Sequence, residues 1–332
     1  MSRTWSQDRA GTIIAVVFFA AMALLGVSGA LFLRHPGASA PVALSPTPRH
    51  HVLVSPYSDR PFLRGQAQTW STRGAGQLLP RDISRDYQAL GYQWISITDV
   101  DTSTTDNQYN AAGVIPVPAI EAAYPFAHFL AYGVTQYPAA SSAQQAIDEI
   151  HSFAGVAYLA RPLAPPSLSY EDIAALRGLD RIEVYDAALA RQLPGEADAS
   201  ALWDRLLSSG HRVWGLAGDD LQNNDPQAMG RTSVEVQAVE PSAVLIDDAL
   251  HRGAFVFDTG ETVLAVGTSG GSVTVTTQDA ETIAFIGRDG KVLATEHGTR
   301  ATYNVNWSEG YVRAVASKGS ARAWTEPVFV VP

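Results

Sequence analysis

Hydrophobic and polar positions divide this chain into three regimes. From Thr12 to Leu33 the run TIIAVVFFAAMALLGVSGALFL carries no charge and no polar face. At about 1.5 Å per helical residue it matches the roughly 30 Å hydrocarbon core of a bilayer, so it predicts a transmembrane helix or signal anchor. Residues 1–11 form a short tail before it. Arg3 and Arg9 precede the run and Arg34 closes it. A cleaved signal peptide is the alternative, with Ala38–Ala40 as an ASA-type site, although Pro41 follows and the run is long for a signal core. The preferred orientation is a cytoplasmic N-terminus with the body outside, at the cell membrane; cleavage and secretion is the alternative. Residues 34–60 are rich in Pro, Ala and Ser and predict a linker.

From about residue 61 to 253 strand-like runs alternate with amphipathic ones. Strands are predicted at LRGQAQTW, YQWISIT, VIPVPAIEA, AHFLAYGV, VAYLAR, RIEVYDA and RVWGLAGDD. Helices are predicted at PRDISRDYQAL, SAQQAIDEIHSFAG, SYEDIAALRGL, ASALWDRLLSSG and SAVLIDDALHRG, several stopping at Gly. That alternation predicts parallel pairing in an α/β body. Over 254–332 short strands are punctuated by Gly-Gly, Asp-Gly and Glu-Gly with no helix between, the pattern of an antiparallel β-sandwich.

Composition narrows the chemistry. A net charge of −10 over 332 residues argues against a nucleic-acid partner. Without cysteine there is no disulfide, thiolate metal site or thiol nucleophile. No phosphate-binding glycine loop and no Gly-x-Ser-x-Gly elbow is present. Paired acids are all that glycoside hydrolysis needs, but nothing in the sequence fixes their separation.

Polar residues collect where predicted strands end: Gln68 and Trp70, Asp99 and Asp101, Glu121, Arg161, Asp186, then Asp219, Asp220 and Gln222. In α/β barrels that rim carries the chemistry. A single Asp there commonly caps a helix or turn; the recurrence is the informative part.

The order LRGQAQTWSTRGAG…YQWISITDVD, AIEAAYPFAHFLAYGV, GVAYLARP, GLDRIEVYDA and SSGHRVWGLAGDDLQ, closing with GYVRAVA…AWTEPVFV, resembles the polymerase-and-histidinol-phosphatase (PHP) superfamily. The similarity is to its exported, carbaryl-hydrolase-like metallohydrolase branch, and it covers nearly everything after residue 60. It implies a distorted (β/α)7 TIM-like barrel holding two or three divalent metals and hydrolysing phosphoesters or related bonds. The departures fall on the ligands. Gln68 and Trp70 stand where the family has a His-x-His pair, Ala75 where it has an acid, and Val100, Arg161 and Gln222 where it has histidines. Of the ligand types the resemblance implies, Glu121, His128 and Asp220 remain.

Three functions follow. The first is a membrane-anchored, catalytically degenerate domain that binds a small ligand or protein partner and needs no cofactor. The second is a hydrolase with one Zn or Mn on Glu121, His128 and Asp220, since a catalytic zinc needs about three protein ligands. The third is a structural envelope protein. In the first, Arg161 supplies the positive charge that metals once gave to Glu121 or Asp220, and Trp70 fills their volume.

Overall fold

A computed structural model describes residues 51–104, 109, 113–225 and 227–332. The predicted membrane helix and most of the predicted linker lie outside them. Among the described residues no helix is long and apolar enough to cross a membrane. Residues 49–332 form one compact unit.

The described residues form a mixed α/β fold of nineteen strands and six α-helices. Strands β1 (Val52–Val54), β2 (Phe62–Gln66), β3 (Trp94–Ile95) and β4 (Ile115–Pro116) come first, with helix α1 (Pro80–Ala89) between β2 and β3. Pro80 opens α1 where a missing N–H costs nothing, and Gly91 follows it at φ +85°. Next come β5 (Ala119–Ala123), β6 (His128–Tyr132), α2 (Ala143–Ser152), β7 (Val156–Ala160), α3 (Tyr170–Ala175), β8 (Arg181–Asp186), α4 (Ala187–Gln192), α5 (Ser200–Ser208) and β9 (Trp214–Gly218). Then β10 (Ser233–Gln237), α6 (Ala243–Arg252) and β11 (Phe255–Asp258) lead into β12 (Val263–Ser269), β13 (Ser272–Thr277), β14 (Thr282–Ile286), β15 (Val292–His297), β16 (Arg300–Asn304), β17 (Tyr311–Lys318), β18 (Ala321–Thr325) and β19 (Val328–Val331).

Pairing departs from the uniform parallel order expected. Parallel ladders join β2–β3–β4 and β7–β8–β9, but β5–β6–β7 are antiparallel, and β10 runs antiparallel between β2 and β11. SVEVQ and FVFD, which form β10 and β11, were not among the predicted strands, and β1 lies inside the segment read as linker. Both are buried throughout: β11 is a largely apolar run with no alternation, whereas β10 alternates as SVEVQ but buries its polar members Ser233, Glu235 and Gln237 as well.

Strands β5 to β9 make one sheet, and β2, β3, β4 and β10 belong to an eleven-stranded sheet that continues through β11 into β18, β17, β19 and β1. The two sheets meet at two seams. One is the parallel bridge of Thr69 with Leu221, beyond β2 and β9; the other is that of Val100 with Glu121, beyond β3 and in β5. The largest apolar core fills the space between, with Trp94, Phe129, Tyr132, Leu216 and Phe257 buried. Gly65 is required here, because a Cβ at that position would fall inside the Trp94 ring.

A second core, including Val266, Val275, Phe285 and Val312, lies between the three-stranded sheet β12–β13–β16 and the strands β14 and β17. The two cores are tied by a buried ion pair. Asp204 of α5 accepts from Arg313 of β17 through Oδ1 (2.8 Å) and Oδ2 (2.6 Å), and from the Tyr311 hydroxyl at 3.0 Å. Both charged residues are about 95% or more buried. Removing one partner leaves an uncompensated charge. Asp204→Ala is expected to lower the unfolding free energy by about 3–5 kcal/mol, read from the midpoint of chemical denaturation of the full chain.

Candidate functional site

The ends of β2, β3, β5, β7, β8 and β9 bring the predicted rim residues to the two seams. Trp70 and Glu121 face each other across one of them: Trp70 Nε1 donates to Glu121 Oε2 at 2.8 Å. The other oxygen, Oε1, lies 2.7 Å from Nδ1 of His128, which pairs with β5 from the start of β6. Across the other seam Gln68 Nε2 donates to Asp220 Oδ1 at 3.5 Å, and Gln222 Nε2 to Asp220 Oδ2 at 2.7 Å. Arg161 reaches the same Oδ2 with Nη1 at 3.7 Å.

The remaining predicted residues divide. Asp99 is buried and accepts from the Ser71 amide (2.5 Å) and hydroxyl (2.6 Å) and from the Thr104 hydroxyl, so its carboxylate holds the loop after β2. Asp101 is exposed at φ +54°; its amide donates to the Glu121 carbonyl (2.8 Å) and its Oδ1 accepts from Ala123 (3.0 Å). Asp219 turns to a smaller apolar cluster around Ile83, Tyr87 and Tyr92, accepting from Tyr87 (2.7 Å) and from the amides of Gly230 and Thr232. Asp186 caps α4 through the Leu189 amide at 2.8 Å, while its Oδ2 is buried without a partner. Asp99, Asp101 and Asp219 thus hold loops and turns, while Trp70, Glu121 and His128 form one group and Gln68, Asp220, Gln222 and Arg161 another.

Sequence reasoning missed Glu183. It lies in the buried strand β8, its Oε2 accepts from the Arg161 amide at 2.7 Å, and its Oε1 has no partner. The signal was a carboxylate between two apolar residues, Ile182 and Val184, inside a buried strand. Arg161 and Asp220 both adopt left-handed backbone, at φ +46° and +44°. Such conformations carry a cost and persist where surrounding structure enforces them.

Four carboxylates, Asp220, Glu121, Asp186 and Glu183, act on the one guanidinium of Arg161. Burial opposes its charge, but the carboxylates, Asp220 first, outweigh burial and raise its pKa. The acids respond in kind. Burial, then repulsion from Asp186 and Asp220, pushes Glu183 well above the carboxylate range. Burial, then Asp186 and Glu121, does the same to Asp220 against the pull of Arg161. Burial lifts Asp186 to about 6. Burial and mutual repulsion thus favour the protonated forms of Glu183 and Asp220.

These residues do not fit a divalent cation. A metal needs lone pairs directed at it, whereas both oxygens of Glu121 face an indole N–H and an imidazole nitrogen, and both of Asp220 face amide N–H groups and a guanidinium. Indole, guanidinium and amide N–H groups offer donors only. Among the described residues no three His, Asp or Glu are grouped to hold a metal ion. Glu121 and His128 are joined, but Asp220 sits with Arg161.

No family profile and no curated protein matches this chain. Among solved structures it is similar to a two-domain protein from Bacteroides vulgatus containing a predicted PHP-like metal-dependent phosphoesterase, at 14% identity and TM-score 0.45, over 86% of this chain and 91% of that one. It is also similar to a lesion-specific endonuclease from Pyrococcus furiosus, at 13% identity and TM-score 0.44, over 57% of this chain and 56% of the endonuclease. An amidohydrolase from Chromobacterium violaceum follows, at 11% identity and TM-score 0.34, over 48% and 88%. Likenesses at this identity and overlap carry no activity over to this chain.

Two outcomes are expected of the site. Arg161→Ala, which strips the acids of their cation, should destabilise the full chain by more than about 1 kcal/mol, the loss growing from pH 5 to pH 8 as more of the acids ionise. Separately, Asp186 has a folded pKa raised to about 6, so its contribution to stability is full below the ordinary aspartate range and lost as pH rises through 6. Asp186→Asn should therefore flatten the decline in unfolding free energy between about pH 4 and 6, measured by urea titration at stepped pH.

Proposed function

We propose that this chain is a metal-free relative of the PHP-type hydrolases: a distorted (β/α)7 barrel joined to a β-sandwich, held at the cell membrane by residues 12–33 with its body outside, and binding a small ligand or protein partner. The observation that carries this reading is that both oxygens of Glu121 and both of Asp220 already face nitrogen groups. Trp70, Gln68, Gln222 and Arg161 occupy with hydrogen-bond donors the directions that ligands and cations would need. The barrel reading is supported by the ring of β2, β3, β5, β6, β7, β8 and β9, which runs through five ladders and two single bridges.

A rim of this kind binds by complementary hydrogen bonding. Arg161 offers positive charge, and the unpartnered carboxyl oxygens of Glu183 and Asp186 are left to pair with a ligand. Hydrolysis by the metal route would need a bound ion to polarise the ester and activate water, and no step is assigned to one here.

Elemental analysis of the full chain, purified without chelators and then incubated with zinc or manganese, is expected to find no stoichiometric metal. No turnover of bis(p-nitrophenyl) phosphate is expected either. One equivalent of metal, lost in Glu121→Ala or His128→Ala, would overturn this reading in favour of a hydrolase with a single-metal site.

A further inference from the structure

The sandwich carries a groove that the rim does not explain. It encloses about 440 Å³ and is lined by every residue from Leu264 to Ser269. The groove borders the free edge of β12 and extends over the outer face of its sheet, where Thr274 and Thr276 of β13 and Arg300 of β16 also line it; a register shift between Val263 and Ala265 breaks the strand's alternation at its start. That edge is open. β12 pairs with β13 alone, and among the described residues no other backbone hydrogen bond engages Val263–Ser269.

Other edges of the molecule are short or charged. β1 has three residues and β4 two; β15 follows Lys291 and carries Glu296 and His297. β12 has seven residues, with neither charge nor proline. Long uncharged edges are usually guarded, because they template pairing with another chain. Here the edge is walled instead. Gln237, itself 2% exposed, donates from Nε2 to the carbonyls of Ser58 (2.8 Å) and Arg60 (3.2 Å) and accepts from the Ser58 amide (2.8 Å), which fixes the opposite side of the groove.

We propose that β12 is a docking edge for an extended acidic peptide, which adds to it as a further strand. The lining holds two guanidinium groups, of Arg60 and Arg300, against the one carboxylate of Asp59, on a chain whose net charge is −10. Both arginines are exposed, and Arg300 is held over the sheet by the Thr276 hydroxyl at 2.9 Å, not by an acid. A strand with small or β-branched centres fits beside Ala265 and Gly267, with Arg60 on the opposite wall and Arg300 reached by a long acidic side chain laid over the outer face of the sheet. At about 3.4 Å per residue β12 accepts roughly six residues. This surface shares no residue with the rim.

The probe is a fluorescein-labelled hexapeptide, EVTVTE, titrated into the full chain in detergent micelles. Saturable binding is expected, with slowed amide exchange confined to 263–269. KVTVTK should bind about tenfold or more weakly, and Arg60→Glu with Arg300→Glu should reverse that preference. EVPVPE, which lacks two backbone donors, should not bind. Gly267→Lys places a charged chain in open space at the edge and should weaken both strands. If that variant fails to fold, the exposed arginine pair keeps the test intact. Equal binding of the two charge patterns, binding of EVPVPE, or protection elsewhere would overturn the proposal. So would two other occupants: a homodimer broken by Gly267→Lys, or edge amides protected in the free chain until residues 34–50 are removed.

Discussion

Carboxylates gathered at the end of a buried sheet must be neutralised, and much of this molecule follows from how that is done. Four acids converge on one guanidinium, and a medium of low polarity penalises each unpaired charge. Where a metal would neutralise them from a single point, this chain does so with distributed donors: an indole, two amides, an imidazole and Arg161. Some acids then keep protons instead of charge. The left-handed backbone at Arg161 and Asp220 belongs to the same arrangement, since it turns both side chains toward one another from the ends of different strands.

The second organising feature is the continuity of the large sheet. β10 and β11 carry it from the α/β part into the sandwich, and the Asp204–Arg313 pair closes the angle between α5 and β17. Trp203 strengthens that corner, with its ring 5.8 Å from Phe257 and the Arg313 guanidinium over its face. The sandwich is therefore part of the same folded unit as the rim.

How much of this was legible in the sequence depended on where the signal lay. The helices were, because Ala146, Ile147 and Ile150, or Ile246, Ala249 and Leu250, repeat at helical spacing and Gly91, Gly210 and Gly253 stop them. Strand β11 was not, since a strand buried on both faces has little alternation to read; β10 does alternate, as SVEVQ, but the polar side that its pattern assigns to solvent is buried too. At the rim, residue types were legible as donors: a Trp and an Arg cannot hold zinc. Their partners were hidden, because Trp70 and Glu121 are 51 residues apart and meet only through the fold. Glu183 escaped notice because its neighbours in the strand are apolar, and only the structure places it under Arg161.

The two seams give the rim a meaning beyond chemistry. Strand ladders hold each sheet together, but between β2 and β9, and between β3 and β5, a single bridge does that work. Gln68 with Asp220 spans the first gap and Trp70 with Glu121 the second, so the polar network laces two plates that the backbone barely joins. A molecule that entered the rim and competed for those donors would do more than occupy space. It would loosen the lacing, and the stiffness of the whole body would register its arrival.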